Sequence, residues 1–456
     1  MADLERQTFT PVTIRARDIA PPSTISPAAQ QALSDGAALP RTQYPAPDDL
    51  DAWRAFLSAG SAMRDQMVAP MLAGVTAQVE TRSIAGVTCH DCVPAGGAAP
   101  DGPVYLYIHG GAFVFGGGLF AKALGARGAD ALGLRVVSVD YRMPPDHPFP
   151  AAPEDCVAVY KALLETVDPA RIVIGGGSAG GNLAAAATLM IRDRGLPMPA
   201  GVILLTPEVD LTESGDSFRT NEDLDIILKR GLPECNALYA GGHDLTDPYL
   251  SPLFADFTRG FPPALVQSGT RDLFLSNSVL IHRKLREAGV DAELHVWEAM
   301  PHGAFSRGET PESAQVNAEV ARFIRRVTSG PGDRQLEANK RLVLDMWHTV
   351  INGRDYAKAG QYIAPDYIQH SPSAGQGLEV LIEFLKWELG EGPLEPGSYE
   401  LTRFEHVLAE GDLVQLMFQR HIPDPAQPER AIPVWWYDTY RVKDGLIVEH
   451  WDSALE

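Results

Sequence analysis

The run Ile174-Gly-Gly-Gly-Ser-Ala-Gly-Gly-Asn182 decides the fold of this chain. Before it, Arg171-Ile-Val-Ile174 is a β-branched run that reads as a buried strand. After it, Leu183 to Arg192 is rich in Ala, Leu and Met and reads as a helix. Gly-x-Ser-x-Gly between a strand and a helix is a nucleophile elbow. The turn is so tight that only glycines fit beside the serine, and the hydroxyl of Ser178 is pushed out at the helix N-terminus. The motif alone recurs by chance. What makes it specific is His109-Gly-Gly-Ala-Phe113, directly after the strand-like Val104-Tyr-Leu-Tyr-Ile108. The backbone N–H groups of Gly110, Gly111 and Ala179 are then candidates for an oxyanion hole. The two runs together point to acyl transfer, with His109 holding the oxyanion loop.

A serine hydroxyl needs a base, and the base needs an orienting carboxylate. Pro263 to Gln267 reads as a strand and Ser268-Gly-Thr-Arg-Asp272 as the loop leaving it. Ser276 to Ala288 then reads as a helix, Ala292 to Trp297 as the next strand, and His302 follows in Met300-Pro-His-Gly-Ala304. In such a βαβ unit Asp272 and His302 emerge from the same edge of neighbouring parallel strands, where α/β sheets keep their sites. The catalytic assignment is Ser178 as nucleophile, His302 as base and then acid, and Asp272 as its orienter. Asp140, Asp210 and Asp247 compete for the acid's place but also suit helix or turn caps. His295 lies inside a strand and reads as a packing or surface residue.

Residues from about 20 to 327 resemble the α/β-hydrolase family of bacterial esterases related to hormone-sensitive lipase. The runs that carry the resemblance are His109 to Phe113, Asp140-Tyr-Arg-Met-Pro-Pro-Asp-His-Pro-Phe-Pro150, Gly176 to Gly181 and Pro301-His-Gly303. Val209 to Asn221 and Gly241 to Pro248 are similar to the monoterpene ε-lactone hydrolase branch. The chain departs from the family pattern at Gly177, where an acidic residue usually precedes the nucleophile. The resemblance implies an α/β-hydrolase fold with an N-terminal cap over residues 1–75 and the hydrolase proper over 76–327. Helix-like stretches at Pro27 to Leu33 and Leu50 to Gln66, with a second element at 208–240, would close over the site. Met67, Met71 and Phe113 are candidates for an apolar pocket lining or for ordinary core.

At 456 residues the chain is too long for one such domain. Thr328-Ser-Gly-Pro-Gly-Asp333 is a Gly/Pro-rich break without apolar periodicity and reads as a linker at 328–333. Beyond it, over 334–456, Lys340 to Ile351 has the pattern of an amphipathic helix, and Tyr399 to Asp452 reads as three or four long strands. A smaller α+β domain follows the hydrolase.

Net charge is −21 and both parts are acidic, which argues against nucleic acid or an anionic membrane surface as partner. Four cysteines make no disulfide framework. Cys89-His-Asp-Cys92 lies in a strand-like run, where residues three apart point to opposite faces, so it suits neither zinc nor redox chemistry. No metal or cofactor is expected. The first ten residues carry three charged side chains (Asp3, Glu5 and Arg6) and no apolar core of a signal peptide, and no apolar run reaches transmembrane length. A cytoplasmic protein acting on a small-molecule ester or lactone is the expectation.

Residues 334–456 resemble the SnoaL-like polyketide cyclase group of the nuclear-transport-factor-2-like superfamily. Tyr367-Ile-Gln-His-Ser-Pro372, Tyr437-Asp-Thr-Tyr-Arg-Val442 and Asp444 to Asp452 carry that resemblance. It implies a cone-shaped α+β barrel with a pocket at its mouth. Some members are cofactor-free cyclases or isomerases working through His and Asp; others only bind or dimerise. Strand alternation puts Asp438 on one face with Ile432, Val434, Trp436, Tyr440 and Val442, a desolvated place suited to a general base if that face is concave. His450 and Asp452 share a face on the last strand, and His370 and His421 are further candidates. The second-domain candidate site is therefore His370, Asp438, His450 and Asp452. Trp435 and Tyr437, on the opposite face, with Phe418, are the expected contacts of a homodimer.

Three functions remain open. The first is an esterase or lactonase whose appended domain dimerises or binds substrate. The second is a bifunctional enzyme with an isomerisation, cyclisation or aldol-type step in the second domain. The third, a non-catalytic ligand-binding protein, has no use for a complete triad.

Overall fold

Eight strands build the first sheet: β1 (Gln78–Ile84), β2 (Val87–Val93), β3 (Val104–Ile108), β4 (Arg135–Asp140), β5 (Ile172–Gly177), β6 (Gly201–Leu205), β7 (Ala264–Gly269) and β8 (Ala292–Trp297). Their order across the sheet is β1-β2-β4-β3-β5-β6-β7-β8. β1 and β2 pair antiparallel, β2 meets β4 antiparallel, and every later pairing is parallel. The parallel strands are joined through helices, and β5 and β7 are buried along nearly their whole length, as strands covered on both faces must be. The computed structural model describes residues 12–13, 16–304, 310–371, 375–424 and 427–453, with side chains left out at 61–65, 67, 331, 333–334, 424 and 427–428. The chain divides into two compact units, residues 1–328 and 329–456.

In the first unit the helices are α1 (Pro27–Ala37), α2 (Leu50–Leu72), α3 (Leu119–Leu132), α4 (Ala151–Leu163), α5 (Ala179–Asp193), α6 (Ser217–Thr220), α7 (Pro233–Ala240), α8 (Leu275–Glu287) and α9 (Pro311–Thr328). α5 starts on the residue after Ser178 and is buried from Ala179 to Ile191. Its alanines and glycines allow it to lie close against the sheet. Cys89 joins the core cluster on one side of the sheet and Cys92 the cluster on the other, and both thiols are free. A separate cluster gathers Trp53 from α2, Ala112 within the His109–Phe113 run and Val114 just after it, Phe218 and Leu232 from the 208–240 segment, and Leu273 and Phe274 beside Asp272. Both cap segments thus meet the loops that carry the candidate site. Phe113 is core and not pocket lining: it is wholly buried and stacked on Tyr239 at 4.1 Å. Met67 lies outside the described side chains.

The second unit opens with α10 (Pro331–Met346), continued by a wider turn at Trp347–Asn352. Only Ser329 and Gly330 of the segment read as a linker are outside a helix, because proline at a helix start lacks an N–H that would have no partner there anyway. β9 (Ile363–Gln369), α11 (Leu378–Leu389), β10 (His406–Glu410), β11 (Leu413–Asp424), β12 (Gln427–Lys443) and β13 (Leu446–Trp451) follow. The sheet order is β10-β11-β12-β13-β9, antiparallel except for β13 with β9. One sheet face packs with α10 and α11 around Val343, Trp347, Leu385, Leu416 and Tyr440. Trp435 and Tyr437 are exposed on the other. Phe418 does not join them. It pairs with Trp436 in register, so it shares the inner face and is buried there. No helix among the described residues is long and apolar enough to cross a membrane.

Candidate active site

The nucleophile elbow is a consequence of close backbone packing. A Cβ at Gly180 would lie 2.0 Å from the Ile108 carbonyl oxygen, and one at Gly176 would lie 2.2 Å from the same atom. Neither position tolerates a side chain, so β5, α5 and the end of β3 lock together. Ser178 has φ 58° and ψ −125°, the strained conformation that lifts a hydroxyl clear of the turn, and its N–H donates to Leu205 O at 2.9 Å. At Gly177 a Cβ would meet nothing nearer than Leu205 O at 3.7 Å. The missing acid therefore reflects no steric demand, and the elbow is held by its neighbours.

The oxyanion run passes directly beside this turn. A Cβ at Gly110 would be 2.7 Å from Gly177 O and 3.2 Å from Ser178 Cβ. Among the described residues the N–H groups of Gly110, Gly111 and Ala179 donate to no backbone carbonyl. His109 is wholly buried, stacked on Tyr141 at 4.1 Å, with Nδ1 2.9 Å from Gly110 O and Nε2 without a hydrogen-bond partner among the described residues. Burial lowers its pKa to about 4, so it stays a neutral donor to the loop it braces.

His302 and Asp272 come together as the βαβ order implies. His302 Nδ1 is 3.0 Å from Asp272 Oδ1, and both side chains are buried. Asp272 Oδ1 also accepts the Phe274 N–H at 3.0 Å, and its Oδ2 accepts the Ser268 hydroxyl at 2.6 Å. With Nδ1–H donated to the carboxylate, Nε2 of the neutral ring keeps the lone pair a base requires. Phe274 stands edge-on to the imidazole at 4.8 Å. No hydrogen bond links Ser178 Oγ to His302 among the described residues; such contacts often tighten only with substrate bound.

The competing carboxylates are committed elsewhere. Asp140 accepts the Gly118 N–H, Asp210 binds the N–H and hydroxyl groups of Thr212 and Ser214, and Asp247 caps Tyr249. His295 sits beside Glu293 at 3.3 Å. One residue that sequence reasoning missed is Asp225, wholly buried, whose ligating oxygen lies within 4.8 Å of those of Asp272 and His302. Ser268, at the end of β7, is another. The only sequence signal for Asp225 is an aspartate followed by Ile227 and Leu228, whose N–H groups it caps.

The second unit holds a half-open cavity of about 760 Å³, lined among others by Trp347, Phe418, Trp436 and Tyr440 with Asp438, His450 and Asp452. His450 Nε2 is 3.2 Å from Asp438 Oδ1, which also accepts Trp436 Nε1–H at 3.2 Å. His450 Nδ1 is 3.1 Å from Gln369 Oε1, and the Ser371 N–H donates to that same oxygen at 3.0 Å. The oxygen's identity is therefore fixed, and His450 Nδ1 must donate, which leaves Nε2 facing Asp438. Asp452 lies within 4.8 Å of both groups. His370 does not belong to this group. It follows the last β9 residue on the outer side, exposed, stacked on Trp451 and 2.7 Å from Glu449. His421 is exposed as well.

The class defined by this fold and elbow is the α/β hydrolase. Residues 105–306 match the family described as alpha/beta hydrolase fold, and residues 344–450 match the SnoaL-like domain. An acetyl-hydrolase of Streptomyces hygroscopicus is 35% identical over 238 residues, 52% of this chain and 79% of that protein. An esterase of Acinetobacter venetianus is 34% identical over 257 residues, covering 54% and 82%. A solved esterase of the bacterial hormone-sensitive lipase family is 35% identical with a TM-score of 0.57, covering 67% of this chain and 99% of that one. The chain belongs to this α/β-hydrolase family of esterases and carries a SnoaL-like domain after it.

Proposed function

We propose that the first unit hydrolyses a small uncharged carboxylic ester or lactone through an acyl-enzyme on Ser178. The observation that carries this reading is the buried His302–Asp272 pair at 3.0 Å, on the same sheet edge as the strained Ser178 elbow. His302 Nε2 takes the Ser178 proton as Oγ attacks the carbonyl. The N–H groups of Gly110, Gly111 and Ala179 receive the oxyanion, and the proton then passes to the leaving alkoxide. Water, deprotonated by the same imidazole, releases the acid and restores Ser178. The relatives' names, acetyl-hydrolase and esterase, support a short acyl group. So does a site closed over by the 24–71 and 208–240 segments. With p-nitrophenyl esters, turnover should fall as the acyl chain exceeds about eight carbons; a preference for long-chain triglyceride emulsions would overturn the substrate class.

A second reading concerns the appended domain. The cavity with its Asp438–His450 pair favours binding, and acid–base chemistry, on a second small molecule over a purely structural role. Exposed Trp435 and Tyr437 support pairing with a second copy through the opposite sheet face. Light scattering on the full chain and on Trp435→Glu/Tyr437→Glu tests the pairing. A full-length monomer removes it.

A further inference from the structure

Asp225 belongs to neither the nucleophile elbow nor the βαβ unit, yet its carboxylate joins three separate stretches of backbone. Oδ1 accepts the N–H groups of Ile227 at 2.9 Å and Leu228 at 3.2 Å, within its own turn. Oδ2 accepts the N–H of Leu273 at 2.8 Å, next to the acid, and that of His302 itself at 3.2 Å. Asn221, on the same turn, adds a bond from Nδ2 to the Asp272 carbonyl at 2.8 Å. Four donors facing two oxygens can be met only by a carboxylate; an amide would turn an NH₂ group against two of them.

We infer that Asp225 is a positioning residue for the triad: it fastens the 208–240 segment to the loops carrying Asp272 and His302 and sets the register of the imidazole between them. The inference rests on the triad reading above. Two titratable groups stand against Asp225, Asp272 on the turn after β7 and His302 on the turn after β8. Burial, countered by His302 and reinforced by Asp272, raises the pKa of Asp225 to about 6. The charge of Asp225 also favours the imidazolium that forms when Ser178 is deprotonated.

The test compares full-length wild type, Asp225→Asn and Asp225→Glu on p-nitrophenyl acetate. A fluorophosphonate probe counts competent sites, so that any unfolded fraction drops out of the rate. In Asp225→Asn the kcat per labelled site should fall about 10- to 100-fold with KM nearly unchanged, the signature of a displaced base. Its acidic limb in kcat/KM should move about one unit to lower pH, because a negative charge beside the imidazole is gone. Asp225→Glu, which keeps the charge, should lose rate while holding the wild-type limb. A labelled Asp225→Asn with wild-type kcat per site and an unmoved limb overturns the inference alone. A wild type that takes no label at Ser178 overturns the triad reading and the inference with it.

Discussion

His302 Nδ1 lies 3.0 Å from Asp272 Oδ1, and that carboxylate has no exposed surface. A buried acceptor in this place fixes which ring nitrogen carries the proton. In Asp272→Asn the amide would present either a donor to a donor or the wrong tautomer to Ser178. The kcat for short esters should fall on the order of 10³- to 10⁴-fold with little change in KM. Stopped-flow or steady-state rates check this, and a variant within tenfold of wild type would place the orienting acid elsewhere.

Gly180 stands against the Ile108 carbonyl with no room for a methyl group, whereas Gly177 has ordinary van der Waals space. Gly180→Ala should therefore destabilise the first unit by about 3 kcal/mol or more, since neither contacting backbone can retreat. Gly177→Ala should change stability by less than about 1 kcal/mol. Denaturant unfolding of the two variants side by side gives the contrast. Equal midpoints would contradict the packing account of the elbow.

His109 ties acid sensitivity to the oxyanion loop. Its folded pKa is about 4, below the ordinary value near 6.5, because burial opposes the charged ring. Between those values the unfolded chain binds a proton that the folded chain refuses. Stability is lost as pH falls from about 6.5 to 4, and the loss from this group is complete below 4. Asp225 acts with opposite sign, because a raised carboxylate pKa favours the folded state as pH drops through 6. In His109→Gln the Asp225 effect remains and the His109 effect disappears. The melting temperature of His109→Gln should fall less over that interval than that of wild type; parallel curves would contradict the assignment.

Much of the site is legible in the chain because it is written in short local runs. Ser178 and Gly110 each sit at a strand end marked by glycines, and the strand–helix–strand pattern from 263 to 302 alone puts Asp272 beside His302. Other residues depend on facts that no run carries. Asp225 acts through N–H groups at positions 273 and 302, contacts made only once the 208–240 segment folds back. Phe418 could be placed on either sheet face until its register with Trp436 is known. His370 lies one residue beyond Gln369, and in a strand one residue is the difference between cavity and solvent. The fit of Gln369 to His450 needs the Ser371 N–H to fix the amide, a relation between two segments far apart in the chain.

The most direct test of the account is covalent labelling of the full-length protein with a fluorophosphonate, followed by peptide mass spectrometry. The account predicts stoichiometric modification of Ser178, loss of p-nitrophenyl acetate hydrolysis in step with labelling, and neither label nor turnover in Ser178→Ala. Modification of a different residue, or a Ser178→Ala variant that still turns over the ester at the wild-type rate, would contradict it.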